Sequence, residues 1–340
     1  MRRLDNTIGE IEPVTGKDSM ISSKLFRKVL SRINIILLLA TLVMLFSLLN
    51  PRFFTFQNLQ FILRQSAILL IASVGGTFII LMGSIDLSVG GIASLTCVAS
   101  AIFANSHASH RLVGAIVLLE AIAIGLVFGI ANGLILVKGK IPSFLATLGV
   151  GTIAGGISLL LTGGFTVPIF TRSFKWLGAG DIFGIPVLGI AAAIIYIWGV
   201  FLGNRTRFGR YVFAVGGGEQ ATRFSGVPVD KVKILSFALA GALSGLSGGL
   251  LAARLGAGSS VAGEGLVLDV IAAVVMSGTS LTGGVGNVYR TILGVLIITV
   301  LGNGLNIIGV SPHVQIVIKG IIVIVAVFTT IDRSRIAIMK

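Results

Sequence analysis

The sequence predicts an all-α integral membrane protein that crosses the bilayer about ten times. Of its 340 residues, 55% are hydrophobic and only 11% are charged, whereas a soluble domain carries about 25% charged residues. The mean hydropathy of +1.04 agrees with this class. The third observation is a series of long apolar runs, because a hydrocarbon core of about 30 Å needs about 20 apolar residues in a helix.

Ten apolar runs approach this length, and we interpret each as a membrane span. They cover residues 33–49, 61–82, 86–104, 112–137, 144–162, 185–203, 234–254, 266–282, 288–308 and 314–331. Residues 1–32 then form a basic N-terminal segment, 33–331 the transmembrane domain and 332–340 a short tail. Glycine and polar residues interrupt the second, fifth and eighth runs, so the count of ten is approximate.

The basic residues predict the orientation of these spans. With the N terminus in the cytoplasm, 19 of the 26 Lys and Arg residues fall on the cytoplasmic side, seven of them in the N-terminal segment. This is the bias that the positive-inside rule describes. The sequence therefore predicts a multi-pass protein of the bacterial inner membrane with both termini in the cytoplasm. Short basic clusters between apolar runs do not form one continuous basic surface, which argues against a nucleic-acid partner.

The sequence carries no motif for catalysis or for cofactor binding. It lacks a phosphate-binding loop, a zinc-protease motif and a paired-carboxylate array, which are recognisable from sequence when present. Cys97 is the single cysteine, so an internal disulfide is impossible. His107, His110 and His313 fall in predicted outer loops, where we interpret them as solvated residues. We expect no enzyme activity, no metal and no cofactor bound by this chain.

A polar segment at 204–233 separates the sixth and seventh predicted spans. Within it, residues 219–224 are predicted to form a short helix. The glycine triplet 216–218 would act as a hinge before this helix, and Ser225 and Gly226 would end it. A short helix on a cytoplasmic loop is suited to docking a soluble partner.

Ionisable groups inside spans are costly and need a reason. Asp86 follows a Gly83-Ser84 break, and two interpretations stay open. It is either a pathway or gating residue, or a cap on the next helix, which the helix dipole would favour. We interpret Glu120 and Asp269 as structural.

Apart from Glu120, the predicted mid-span regions are nearly free of charge, which weakens an ion-coupled mechanism and favours a neutral polar pathway. Further pathway candidates are the polar residues Ser88, Asn132, Thr147, Thr279, Ser280, Asn303 and Asn306. Each is alternatively an interhelical hydrogen-bonding residue. Gly241, Gly245 and Gly249 lie four residues apart, which predicts one face of a close helix interface.

Several strings resemble motifs of the ribose-type ABC sugar permeases. Residues 83–90, GSIDLSVG, are similar to the family's GGIDLSVG, and 141–149 to its IPxFxATLG. Residues 160–164, 209–227, 278–286 and 303–306 resemble further motifs in the family's order, so the resemblance covers about 35–335. Four small departures occur, at Ser84, Gly218, Thr222 and Ser277. We interpret the two in the polar segment, Gly218 and Thr222, as adaptations to a particular ATPase.

The resemblance implies an ABC importer permease fold and a transport subunit for a monosaccharide or sugar-like molecule. It also implies the partners: a separate ATPase that carries ATP and Mg²⁺, a periplasmic or extracellular sugar-binding protein, a second permease copy or paralogue, and the surrounding membrane lipid. The ATPase-coupling residues it implies are Arg210, Gly217, Glu219, Ala221, Arg223, Ser225 and Gly226. The alternatives are a branched-chain amino-acid permease, against which the GSIDLSVG string argues, and an ion-coupled secondary carrier.

Overall fold

The computed structural model describes residues 35–107, 110 and 112–330. The predicted N-terminal segment and the C-terminal tail lie outside the described residues. The helices are α1 Ile35–Leu49, α2 Phe56–Leu81, α3 Val89–Ser106, α4 Val113–Lys138, α5 Ser143–Thr162, α6 Arg172–Ala179, α7 Val187–Arg205, α8 Arg207–Gly217, α9 Glu219–Phe224, α10 Val229–Leu255, α11 Leu266–Met276, α12 Val288–Ile307 and α13 Pro312–Thr330.

Strands are confined to four two-residue segments within the described part of the chain. They are β1 Val167–Pro168, β2 Asp181–Ile182, β3 Ile185–Pro186 and β4 Ala257–Gly258. β1 pairs with β4 and β2 with β3, both antiparallel. These pairs only close loops between helices, so the predicted all-α class is confirmed.

Seven helices, α2, α3, α4, α5, α7, α10 and α12, are long and apolar enough to span a membrane. The remaining predicted spans contain the apolar helices α1, α11 and α13. The multi-pass character is therefore confirmed, although the boundaries shift. Asp86 lies before α3 rather than inside it.

The predicted span at 266–282 is wrong in its second half. α11 ends at Met276 after 11 residues, which at about 1.5 Å per residue cover only half of a bilayer. Gly278, Gly283 and Gly284 adopt φ values of 89°, 81° and 70°. This left-handed backbone ends a helix, so residues 277–287 form an irregular loop, called here the 277–287 loop.

The polar segment 204–233 is folded rather than a loop. Its ends belong to α7 and α10, and between them lie α8 and α9. The prediction of a short helix at Glu219–Phe224 is confirmed to the residue. The predicted glycine hinge is wrong, because Gly216 and Gly217 form the last turn of α8 and only Gly218 lies outside a helix.

α10 is the central helix and packs against α2, α3 and α4. At the contact with α4, a Cβ added to Gly241 would collide with the Gly125 carbonyl and come within 2.6 Å of the Gly129 Cα. Gly245 meets Ala121 and Gly125 in the same way. The predicted small-residue interface is thus confirmed, and it lets two helix backbones touch.

We call the two ends of the bundle the α9 end and the opposite end. At the α9 end, Gly216 of α8 lies against Leu81, the last residue of α2, and Gly203 of α7 lies against Val288, the first residue of α12. At the opposite end, Asn105 of α3 donates to the Pro168 carbonyl in β1 at 2.8 Å. The polar segment is therefore gathered at one end.

Candidate functional site

Residues 82–88, called here the signature loop, connect α2 to α3 at the α9 end. Gly83 turns the chain with φ of 77°. Asp86 is only 6% exposed, and its Oδ1 accepts from the Ser88 backbone N–H at 2.8 Å and from the Ser88 hydroxyl at 2.6 Å. This Asx-type bond holds Ser88, the residue that precedes α3, rather than an N–H of the helix itself. The second carboxylate oxygen, Oδ2, is buried and has no hydrogen-bond partner among the described residues.

Four of the predicted pathway residues meet around this loop. Asn132 of α4 donates its Nδ2 to Ser88 Oγ at 2.8 Å. Thr147 of α5 accepts the Leu87 backbone N–H at 2.9 Å. Asp86, Ser88 and Asn132 are thus joined by side-chain hydrogen bonds, and Thr147 bonds the loop backbone, so this polar network of four residues ties the signature loop to two spanning helices. Buried hydrogen bonds of this kind fix a unique local arrangement.

The 277–287 loop touches the signature loop through the backbone. The Gly284 N–H donates to the Leu81 carbonyl at 2.8 Å, and a Cβ added to Gly283 would lie 2.7 Å from the Gly83 nitrogen. Thr279 is fully buried in this loop, and its hydroxyl lies 3.4 Å from that of Ser277. Ser280 instead pairs with Thr282 at 2.8 Å.

The C-terminal turn of α8 contacts the end of α2 and the 277–287 loop. A Cβ added to Gly216 would collide with the Leu81 carbonyl and lie 2.5 Å from the Gly284 nitrogen. Three glycine-containing segments, around Gly83, Gly216 and Gly284, therefore meet backbone to backbone, and we call this contact the junction. The junction was not predicted from the sequence, because it depends on contacts between segments that are distant along the chain.

The predicted coupling residues lie on α8, on α9 and in the turn after α9. All seven are exposed: Arg210, Gly217, Glu219, Ala221, Arg223, Ser225 and Gly226. Two ion pairs hold α9 on the start of α10, Lys233 Nζ to Glu219 Oε2 at 2.7 Å and Arg223 Nη2 to Asp230 Oδ1 at 2.6 Å. The hydrogen bond and charge of Asp230 raise the pKa of Arg223 above its usual value.

Two further residues of α9 lie in positions that the sequence did not predict. Thr222 is buried, with its Oγ1 2.8 Å from the carbonyl oxygens of Ala214 and Gly218. Thr222 faces α8 and holds α8 and α9 together. A buried position of this kind does not support the interpretation of Thr222 as an adaptation to the ATPase. Phe224 is 90% exposed at the end of α9. In the sequence, the signal for an exposed Phe224 was an aromatic residue at the end of a short polar helix.

Asn303 and Asn306 lie away from the signature loop. Asn303 and Asn58 exchange two amide hydrogen bonds of 2.9 and 3.0 Å, which join α12 to α2. Asn306 accepts from Gln315 Nε2 at 3.1 Å. Both asparagines therefore make hydrogen bonds between helices near the opposite end of the bundle.

Charged residues also lie between helices near the opposite end of the bundle. Lys319 lies within α13, and its Nζ is 2.9 Å from Asp269 Oδ2 on α11. Arg254 lies in the last turn of α10 and stacks over the Phe61 ring, 5.4 Å from its centroid. The described residues contain no group of three or more His, Cys, Asp or Glu that could hold a metal ion.

Comparison with known proteins defines the class of this membrane protein. Residues 58–327 match the family model described as branched-chain amino acid transport system / permease component. The Ribose import permease protein RbsC of Bacillus subtilis (strain 168) is 41% identical over 316 residues, which cover 91% of this chain and 95% of that protein. The protein of the same name from Escherichia coli (strain K12) is 39% identical, covering 85% and 90%.

The L-arabinose transport system permease protein AraH of Escherichia coli (strain K12) is 32% identical over 322 residues, covering 92% of this chain and 94% of that protein. No solved structure matches the chain at a significant level. These similarities define a multi-pass permease component of a transport system, which is not itself an enzyme. The chain belongs to the permease family of the matching model, in the group that contains the ribose and arabinose permeases.

Proposed function

We propose that this chain is the membrane-spanning subunit of an ATP-driven importer for a monosaccharide. Two such subunits, identical or paralogous, form the translocation pathway in the bacterial inner membrane. A separate ATPase binds ATP and Mg²⁺ on the cytoplasmic side, and a sugar-binding protein delivers the sugar from outside. The names and the near-complete coverage of the ribose and arabinose permeases support this proposal.

The charge distribution supports a cytoplasmic α9 end. Arg205, Arg207 and Arg210 lie on and before α8. Lys138 ends α4 and Lys140 follows it at the same end. Clusters of Lys and Arg remain in the cytoplasm when a membrane protein inserts. The ATPase would therefore meet α9, and the sugar would arrive at the opposite end.

The junction is the observation that carries the coupling mechanism. α9 is fastened to α8 by Thr222 and to α10 by two ion pairs, and α8 touches both loops of the junction. Tightly packed contacts without intervening flexible side chains transmit a displacement efficiently. Movement of α9 would therefore shift the starts of α3 and α12 together. ATP and the binding protein drive transport because each favours a different state of the bundle.

Within this proposal the predicted pathway residues take different roles. Asp86, Ser88, Asn132 and Thr147 form the gate, because their network borders the junction. Thr279 and Ser280 support it from the 277–287 loop. Asn303 and Asn306 act as interhelical hydrogen-bonding residues.

Phe224 offers a direct test of docking. Its ring is almost fully exposed to solvent, and buried aromatic anchors often dominate a protein interface. We expect Phe224→Ala to weaken ATPase binding at least about tenfold while the thermal unfolding midpoint stays unchanged. The measurement is co-purification of the cognate ATPase with the tagged chain, followed by titration.

Phe183→Ala is the matched control, because Phe183 is equally exposed but lies between β2 and β3, away from α9. This variant should bind the ATPase normally. Equal binding by wild type and Phe224→Ala would contradict the assignment of α9 as the docking element.

A further inference from the structure

A polar cavity lies among α2, α10, α11, α12 and α13, away from the signature loop. Its volume is about 160 Å³, and its polar lining residues are Gln65, Arg254, Asp269, Thr299 and Lys319. One buried water molecule needs about 10–15 Å³ of such space, so the cavity has room for a small ion together with several water molecules. Arg254 lies in the last turn of α10, shortly before β4, which places the cavity towards the opposite end of the bundle.

The charged residues of the lining leave one positive charge without a partner. Lys319 and Asp269 neutralise each other, with 2.9 Å between Nζ and Oδ2. Arg254 forms no ion pair with any described residue, and its guanidinium lies over the Phe61 ring instead. Two cations and one carboxylate therefore give the lining a net positive charge.

No other acidic residue in the described part of the chain supplies the missing negative charge. Asp181 is already bound to Arg64, whose Nη2 is 2.8 Å from its Oδ2. Glu264 is exposed and does not line the cavity. The other described acids lie at the α9 end or on α4, which does not line the cavity: Asp86, Glu120, Glu219 and Asp230. The acids outside the described residues fall in segments predicted to be cytoplasmic: Asp5, Glu10, Glu12, Asp18 and Asp332.

The hydrogen-bond donors of Arg254 are free and open to the cavity. A guanidinium carries five N–H donors, and none of those on Arg254 bonds a described residue. Its nitrogens are accessible to a water-sized molecule, whereas the Thr299 hydroxyl is closed off. The side-chain amide of Gln65 also bonds no described residue, and Lys319 keeps two N–H donors beyond its bond to Asp269. Three side chains therefore offer donors to the cavity.

Local effects offset only part of the charge on Arg254. The negative end of the α10 dipole favours a cation in its last turn, and the Phe61 ring adds a cation–π contact. Neither supplies a full negative charge or an acceptor for the free N–H groups. Because an uncompensated cation between membrane helices is costly, a counter-ion is expected in the cavity.

We propose that this cavity binds one small monovalent anion, of which chloride is the test case, with Arg254 as the principal ligand. A single negative charge makes the lining neutral, whereas a dianion or a neutral molecule leaves an uncompensated charge. Gln65 and Lys319 are placed to donate further hydrogen bonds. The anion would tie the end of α10 to α2 and α13. This site goes beyond the proposed function and does not depend on which sugar is carried.

Thermal unfolding of the purified full-length chain in detergent tests the site, with sodium chloride exchanged for sodium isethionate at constant ionic strength. Ligands that bind only the folded state raise its midpoint, so chloride should raise it saturably, by about 3 °C or more. Arg254→Gln should abolish this shift. Arg172→Gln is the matched control, because Arg172 is an exposed cation of α6 outside the cavity, and it should keep the full shift.

Gln65→Leu provides a second variant that removes a donor without changing a charge, should Arg254→Gln fail to fold. It should raise the chloride concentration at half-maximal shift at least about fivefold, because hydrogen bonds to charged groups are strong. No chloride-dependent shift in the wild type, or an equal shift in wild type and cavity variants, would overturn the proposal. A lipid phosphate carries the same single charge, so phosphatidylglycerol is added back to the delipidated chain. Loss of the chloride response on this addition would assign the cavity to lipid and overturn the free-anion site, whereas an unchanged response supports it.

Discussion

Asp86 shows how one side chain can satisfy a structural role and retain capacity for another. Its Oδ1 accepts two bonds from Ser88, the residue that precedes α3. Its Oδ2 stays buried without a partner among the described residues. The bonds to Ser88 account for one oxygen, and the proposed gating role concerns the other.

Asp86→Asn separates the two roles. Asparagine keeps an Oδ1 acceptor and forms the same Asx-type bond as aspartate, so we expect the unfolding free energy to change by less than about 0.5 kcal/mol. Asp86→Ala loses both bonds and should cost about 1–2 kcal/mol. If the carboxylate is part of the gate, Asp86→Asn should still lower sugar uptake more than tenfold. Normal uptake by this variant would show that Asp86 only shapes the signature loop.

Sequence could single out individual polar residues but not their partners. Asn132 and Thr147 were identifiable because they interrupt apolar runs, yet they meet residues 44 and 60 positions away. Lys319 falls inside the predicted span 314–331, and the sequence does not show what pairs with it. Its partner Asp269, 50 positions earlier, explains how it is accommodated in α13.

Among the elements, α9 was predictable because its limits are local. Gly218 precedes it, and Gly226, with φ of 78°, follows it where a helix would have to end. α11 was predicted too long because apolar composition continued past the positive-φ glycines. The junction could not be predicted, since each of its glycines is unremarkable until three distant segments are brought together.

The ion pairs of α9 predict the effect of a charge reversal. Glu219→Arg would place a cation beside Lys233 and Arg223, which now contact Glu219 at 2.7 and 3.5 Å. We expect at least a fivefold loss of ATPase co-purification, with normal membrane insertion. Gln220→Arg is the control, because it adds charge to α9 without breaking a pair. Full co-purification with Glu219→Arg would argue against the docking role of α9.

The α4–α10 interface predicts a contrast between two identical substitutions. Gly241→Ala introduces a methyl group against the α4 backbone, and overpacking of this kind costs about 1–3 kcal/mol. At Gly155 of α5 an added Cβ meets nothing within 4 Å, so Gly155→Ala should be neutral or slightly stabilising. Thermal unfolding in detergent would compare them. Equal midpoints would mean that the two helices are not in the close contact described.

At the scale of the whole molecule, the exposed apolar helices and the exposed α9 are both consistent with the proposed transport subunit. α4, α5 and α7 leave most of their apolar windows unburied within the chain, which suits contact with lipid and with a second subunit. The sequence has no phosphate-binding loop, and the proposed function assigns ATP hydrolysis to a partner. The exposed α9 and the junction beneath it provide the route by which a partner's motion would reach the gate.

Reconstitution in proteoliposomes tests the central claim most directly. The purified chain would be combined with its cognate ATPase and sugar-binding protein, and uptake of radiolabelled ribose, xylose, arabinose and leucine would be measured. The account predicts pentose uptake that requires ATP, the ATPase and the binding protein together. Uptake driven by a proton gradient through the chain alone, or uptake of leucine in place of any sugar, would contradict it.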